Sequence, residues 1–188
     1  MTHCLISPPQ GPEHKLACSP LFKTEACTSW LKETWWAAAF TGGLLSIIHP
    51  EQYLLGRMAL LEVANRPEEC SAPDDIMSAL GLWASPFTGV SVMVNRVTPV
   101  HRDVQGRDSW MDLLLTVGPY TGCRMEFRSL GIRAVYDTGT VVGVCSKVVP
   151  HAASEWSGER ACIAYYMRDN VHARLGIPSG TWMNLNTM

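Results

Sequence analysis

Apolar residues change their period once along the chain, near residue 88. Before that point they recur at helical spacing. Thr28 or Ser29 can cap a helix running through Trp30, Leu31, Trp35 and Trp36. Pro50-Glu51 can open another, in which Leu54, Leu55, Met58, Leu60 and Leu61 return every three or four positions until Pro67. These aromatic and aliphatic residues are expected in the core. Pro8, Pro9, Pro12 and Pro20 punctuate an irregular, partly disordered lead over residues 1–25. Residues 67–80, with Pro67, Pro73 and several acidic residues, read as a connection into a short helical turn.

After residue 88 the runs shorten and alternate. Val90–Arg96, Met111–Val117, Arg124–Phe127, Ile132–Tyr136, Thr140–Cys145, Lys147–Ala152 and Arg160–Met167 are each of strand length and rich in β-branched or aromatic residues. Asp137-Thr138-Gly139 is a turn signal between two of them. So many short strands in so little chain imply a sandwich or jelly roll. The expected fold is α+β: a double-stranded β-helix of jelly-roll, cupin-like form over 86–170, with a helical part over 26–85 packed on it. With 188 residues, 26–188 make one domain after the lead.

Charge and cysteines narrow the setting. The net charge of -2 hides an asymmetry, with five Lys/Arg against nine Asp/Glu in residues 1–95 and ten against eight in 96–188. The second half is therefore mildly basic, a hint of an anionic partner, although a nucleic-acid groove is normally more positive. Seven cysteines form no C-x-x-C pair and are odd in number, so they signal neither a zinc knuckle nor a disulfide framework and read as reduced thiols. The first twenty residues lack the continuous apolar stretch of a signal peptide, and no run reaches the length of a membrane span. Cytoplasm or nucleus is expected, without a visible import signal, and no membrane partner.

The chemistry is concentrated in His101-Arg102-Asp103, His151 and Arg160. Two histidines and a carboxylate are the donor set of the facial triad that holds non-haem Fe(II) and leaves positions open for substrate and oxygen. Arg160, nine residues after His151, offers the planar fork that clamps a carboxylate, as a dicarboxylic cosubstrate such as 2-oxoglutarate requires. H-x-D alone is a common accident, and a lone histidine is usually a surface or core residue. All four, however, fall near strand ends, in the order that brings them to one mouth of a double-stranded β-helix. In the last strand, Arg160, Cys162, Ala164 and Tyr166 share one face, and Ile163, Tyr165 and Met167 the other.

The segments Val94–Asp103, Trp110–Leu115, Gly118-Pro119-Tyr120, Tyr136–Gly139, Val149-Pro150-His151 and Tyr165–His172 resemble the fungal-type branch of the TET/JBP dioxygenases, over about residues 82–176. The resemblance implies an enzyme that uses Fe(II), 2-oxoglutarate and O2 to oxidise methyl groups of pyrimidines in nucleic acid. It implies His101, Asp103 and His151 as metal ligands and Arg160 as the cosubstrate clamp, with Arg96 and Cys162 beside the cosubstrate. Relatives commonly carry Ser or Thr where Cys162 stands, and a thiol is a poorer donor.

Substrate contacts are expected from Asp112, which can accept a hydrogen bond from an exocyclic amine, and from Gly106, Arg168 and Asp169. His172 either joins them or caps the fold. Stacking of a flipped base is expected from among Trp110, Tyr120, Phe127 and Trp156. The leading expectation is oxidation of 5-methylcytosine in DNA to 5-hydroxymethylcytosine and beyond, by a nuclear monomer. The alternatives are oxidative demethylation of N6-methyladenine and a degenerate binding module; the intact quartet speaks against the last.

Overall fold

The structure, a computed structural model, describes residues 2–4, 6–7 and 15–183. Within the expected irregular lead it places three short strands, β1 (Thr2–Cys4), β2 (Ile6–Ser7) and β3 (Ala17–Cys18); residues 8–14 lie outside the described residues. The Thr24 hydroxyl accepts the Cys27 N–H at 3.2 Å and starts α1 (Glu25–Glu33), ahead of the expected caps Thr28 and Ser29. Thr34 separates α1 from α2 (Trp35–Ile48), so the single helix expected through Trp30 and Trp36 is two. The His49 ring and Pro50 begin α3 (Pro50–Asn65), which ends before Pro67, and α4 (Pro73–Leu80) follows.

The strands are β4 (Gly89–Val94), β5 (Thr98–His101), β6 (Asp112–Val117), β7 (Tyr120–Thr121), β8 (Arg124–Phe127), β9 (Ile132–Val135), β10 (Val141–Val144), β11 (His151–Ala153), β12 (Ser157–Gly158) and β13 (Ala161–Tyr166), before a last helix α5 (Asp169–Arg174). They form an antiparallel five-stranded sheet in the order β1-β4-β13-β6-β10 and a four-stranded sheet in the order β5-β11-β8-β9. The two sheets enclose one core, and helices cover the outside of the larger sheet, the architecture of a jelly roll. Two strands differ from expectation. Lys147–Ala152 is mostly a turn, in which Val148 and Val149 both donate to the Cys145 carbonyl, and only His151 onward pairs. The unanticipated β5 contains Pro99, which a strand tolerates at a sheet edge.

Alternation divides the larger sheet between two apolar clusters. Val90, Leu113, Leu115, Ile163 and Tyr165 pack against Leu45, Ala59, Leu60 and Val63 of the helices. Leu114, Cys162 and Ala164 turn the other way, toward Tyr120, Cys123, Met125 and Tyr136. One polar residue locks the helical layer to the sheet. Buried Gln52 of α3 donates to the Met111 carbonyl at 2.9 Å and accepts the Met111 N–H at 2.8 Å, satisfying both backbone groups beside the first residue of β6. Gly56 lets α3 approach closely, since a Cβ there would lie 2.3 Å from the Pro86 carbonyl oxygen. The expectation that the early aromatic and aliphatic residues are core holds for Leu31, Leu55 and Leu60. It fails for Trp35, Trp36, Leu54, Met58 and Leu61, which are exposed because only the inner half of each helix meets the sheet.

Candidate active site

Strand pairing assembles the metal-ligating residues. His101 ends β5 and His151 begins β11, and the two are direct partners in the ladder, their ring centroids 4.4 Å apart. Asp103 follows β5, its N–H held by the Ser146 carbonyl at 3.1 Å. Its two carboxylate oxygens lie 3.7 Å from the His101 Nε2 and 3.7 Å from the His151 Nε2. Each histidine also places Nδ1 on a backbone carbonyl, Pro99 at 2.9 Å and Val149 at 3.1 Å. A carbonyl only accepts, so Nδ1 is the donor in each ring, and Nε2 is the atom that faces Asp103 and can ligate a metal. Burial holds the His151 pKa below the ordinary histidine value, which favours the neutral ligating ring.

The three ligand atoms lie within 4.8 Å of one another, the only such cluster among the described residues. A common point then lies within about 2.8 Å of each, against the roughly 2.0–2.2 Å typical of metal–nitrogen and metal–oxygen bonds. A side-chain adjustment of well under an ångström closes the difference. The donor set of two imidazoles and one carboxylate fits Fe(II).

Arg160, immediately before β13, is only 4% exposed. Its guanidinium lies over the rings of Tyr136, Trp156 and Tyr120, at 4.8, 5.1 and 5.7 Å from their centroids. No carboxylate among the described residues pairs with it, and its Nε has no hydrogen-bond partner. A buried cation held by ring faces and facing a cavity is a site for an anion. The Asn95 side chain accepts the Arg160 N–H at 2.8 Å, and the Arg160 carbonyl accepts the Asn95 N–H at 2.8 Å, which fixes where the arginine emerges.

Triad and arginine line one cavity of about 490 Å3. The face of β13 expected to point inward does so, with Arg160, Cys162, Ala164 and Tyr166 all on its wall. Arg96, Gly106, Asp112 and Arg168 also line it. Cys162 is a buried thiol 3.5 Å from the Tyr136 hydroxyl, and desolvation raises its pKa, so it stands as a neutral group. Asp112 accepts a short hydrogen bond from the Ser146 hydroxyl. Desolvation nevertheless pushes its carboxyl up to about 7, with the nearby Asp103 adding to the rise. Gly106 has ample room: a Cβ there would meet only the Met167 carbonyl, at 3.8 Å.

Some expected contacts fall elsewhere. Asp169 is not on the cavity wall. It begins α5 and is ion-paired with Arg107, which also donates to the Pro178 carbonyl at 2.6 Å and so ties the segment after Asp103 to α5. His172 is fully buried against Trp110, its ring centroid 4.6 Å away, and caps the fold. Desolvation pushes its pKa down to about 4. None of the four aromatics expected to stack a base lines the cavity. Trp110 is occupied by His172 and Arg107, Tyr120 and Trp156 by Arg160, and Phe127 packs against the inter-sheet core. The cavity's aromatic residue is Tyr166, whose hydroxyl accepts from Ser91 at 3.2 Å and whose ring carries Arg168 at 4.6 Å. The alternation that placed Arg160 inside also placed Tyr166 there, so its signal was present in the sequence.

The profile of the Tet_JBP family, the oxygenase domain of the 2OGFeDO superfamily, matches residues 22–169. The structure is similar to that of NgTET1 in complex with 5mC DNA, with a TM-score of 0.63 and 13% sequence identity, over 91% of this chain and 62% of that one. That likeness lies in the fold, and the chain spans less than two thirds of that chain's length. No curated protein matches by sequence. With the triad, the buried arginine and strands β4 to β13 all inside the matched span, the chain belongs to the TET/JBP family of Fe(II)- and 2-oxoglutarate-dependent dioxygenases.

Proposed function

We propose that this dioxygenase oxidises the methyl group of a modified base in DNA, with 5-methylcytosine the leading substrate and 5-hydroxymethylcytosine the first product. The observation that carries the reading is the meeting, in one cavity, of a three-residue metal site with a buried arginine that pairs with no carboxylate among the described residues. Fe(II) with 2-oxoglutarate and O2 supplies the oxidising power that inserts oxygen into a C–H bond, the cosubstrate leaving as succinate and carbon dioxide. The chain's residues bind and orient. His101, Asp103 and His151 would hold the metal, with coordination positions left for cosubstrate and oxygen. Arg160 clamps the distal carboxylate of the cosubstrate with its fork, Tyr120, Tyr136 and Trp156 keep water from it, and Cys162 fills the wall beside it.

Three further arginines bear on the DNA partner. Arg96, Arg102 and Arg168 line the cavity, where the only carboxylates are Asp103 and Asp112. Cations at the mouth suit a phosphodiester backbone, and a cavity of this size suits a nucleotide flipped out of its stack. We assign Asp112 the hydrogen bond to the exocyclic amine, with the Gly106 backbone approaching the base and the Tyr166–Arg168 pair on the wall beside it. DNA as substrate makes the nucleus the expected compartment. Incubation with Fe(II), 2-oxoglutarate and a panel of methylated DNA and RNA oligonucleotides, followed by nucleoside mass spectrometry, tests the reading. Hydroxymethylcytosine from DNA supports it. Loss of N6-methyladenine with formaldehyde release would assign the alternative substrate, and conversion of 2-oxoglutarate without any change in the oligonucleotides would refute a nucleic-acid substrate.

A further inference from the structure

Helix α2 has no charged residue in fourteen, and its two hydroxyl side chains are turned to its own backbone: Thr41 donates to the Ala37 carbonyl and Ser46 to the Gly43 carbonyl. A helix apolar on all sides ordinarily has protein on all sides. Here the inner face, with Ala37, Thr41 and Leu45, is buried, while Trp36, Phe40 and Ile47 on the opposite face are 54, 58 and 69% exposed. The neighbouring helix α3, which packs against α2, repeats the pattern. Its outward positions Leu54, Met58 and Leu61 are 59, 46 and 56% exposed. Both rows lie opposite the buried rows of their helices, on the outer side of one helical pair.

Taking aromatic side chains at about 200 Å2 and aliphatic ones somewhat lower, the six expose roughly 600 Å2 of apolar area. That is at the upper end of the largest patch on a typical monomer. With a polar rim it approaches the roughly 800 Å2 per partner of a standard interface.

We propose that this face pairs with the same face of a second copy about a two-fold axis, making the enzyme a homodimer in place of the monomer expected from sequence. The spacing of the outward residues on α2 selects that occupant. In an antiparallel pairing of α2 with its symmetry mate, each residue meets the one equally far beyond the axis. Phe40 and Gly43 share a midpoint between Thr41 and Gly42, and so do Trp36 and Ile47. One axis therefore seats the Phe40 ring of each copy over the Gly43 of the other while Trp36 meets Ile47. Gly43 is the matching hollow: it is exposed, and a Cβ built on it finds nothing within 4 Å. Such self-complementarity is what an isologous interface requires and what a flat lipid surface does not. The pairing leaves catalysis free, because the helices cover the outer face of the five-stranded sheet and the cavity lies on its inner face.

Sedimentation velocity of the 188-residue chain over roughly 1–100 µM, a range that brackets a micromolar dissociation constant, tests the proposal. The expected species has twice the 20.7 kDa chain mass. Gly43→Leu fills the hollow at a position with room in the monomer and gains helix propensity, so it should weaken association at least about tenfold without lowering the melting temperature. Trp36→Glu and Ile47→Lys should each weaken it similarly. Combined in one chain they should restore it, since each acidic replacement then faces a basic one across the axis. Circular dichroism checks that every variant folds. A monomeric wild type at the highest concentration overturns the proposal, as does a dimer indifferent to Gly43→Leu or a double variant no better than the singles. Flotation of the monomer with phosphatidylcholine vesicles would assign the face to a membrane and overturn it equally.

Discussion

Replacing Arg160 by methionine should separate cosubstrate binding from folding. In the ligand-free protein the guanidinium is almost fully buried with no carboxylate beside it. Burying an unpaired charge costs several kcal/mol. The three ring contacts offset much of that, at about 0.5–2 kcal/mol each. The two effects nearly cancel, and methionine fills a similar length of apolar space. The expected change in the ligand-free protein is therefore within about 1 kcal/mol, or roughly 2–4 °C in Tm for a chain of this size. The bound state is different. There the cosubstrate carboxylate is left buried without its cation, at a cost of about 3–5 kcal/mol, or two to four decades in Kd.

Thermal shift and calorimetric titration with Mn(II) in place of Fe(II), so that nothing turns over, read both quantities. At a hundredfold excess of 2-oxoglutarate over its Kd, the wild type should gain about 2.7 kcal/mol of stability and the variant almost none. A variant that melts far lower without ligand but keeps the ligand-induced shift would refute the reasoning and make Arg160 a structural residue. The clamp would then have to be sought at Arg96 or Arg168, which also line the cavity.

Asp103→Ala should abolish Mn(II) binding in titration and turnover by mass spectrometry while leaving the melting curve almost unchanged, because the side chain is about half exposed and lies outside the core. Asp112→Asn should impair base oxidation by one to two decades, from roughly 1.5–3 kcal/mol for a hydrogen bond to a charged group, yet spare uncoupled conversion of 2-oxoglutarate to succinate. Asp112 also sets a pH signature. Its folded pKa of about 7 lies above the unfolded carboxylate value, so its own contribution to stability falls as pH rises between about 4 and 7 and is level above, while the lowered His151 and His172 act in the opposite sense; the urea midpoint of Asp112→Asn relative to wild type should therefore be higher at pH 8 than at pH 5. Gln52→Ala should cost about 2–4 kcal/mol by leaving the Met111 N–H and carbonyl unpaired in a buried cavity, seen as a lower urea midpoint with unchanged slope. A loss under about 0.5 kcal/mol would mean that water replaces the amide.

The legible parts of the sequence were those governed by local period. Alternation along Arg160–Tyr166 separated the cavity wall from the helix-facing side without any knowledge of the neighbouring strands. Pro50 announced α3 because proline suits a first helical turn, and Pro67 marked its end. What stayed illegible depends on partners distant in the chain. The aromatics expected to stack a base lie off the cavity wall, because an aromatic side chain does not declare whether it will shelter an arginine, as Tyr120 and Trp156 do, or face a cavity, as Tyr166 does. Asp169 could not be told from a cavity residue until Arg107 was placed beside it.

The metal site shows how the two kinds of information combine. H-x-D gives two ligands through local geometry, since residues two apart on an extended chain share a side. The second histidine is supplied by register: a short edge strand, broken by Pro99 and invisible to strand propensity, pairs with β11 so that His101 stands opposite His151. Shifting that register by one residue would carry His101 to the other face and dissolve the triad, although the sequence would read the same. Groups around the pair then hold the ligands in place. The Ser146 carbonyl holds the Asp103 backbone, the Pro99 and Val149 carbonyls orient the two rings, and Gln52 holds the strand that carries Asp112. The helical layer and the turn at residues 145–149 are therefore part of the site's construction, and changes there should reach the metal through backbone position before they reach it through any side-chain contact.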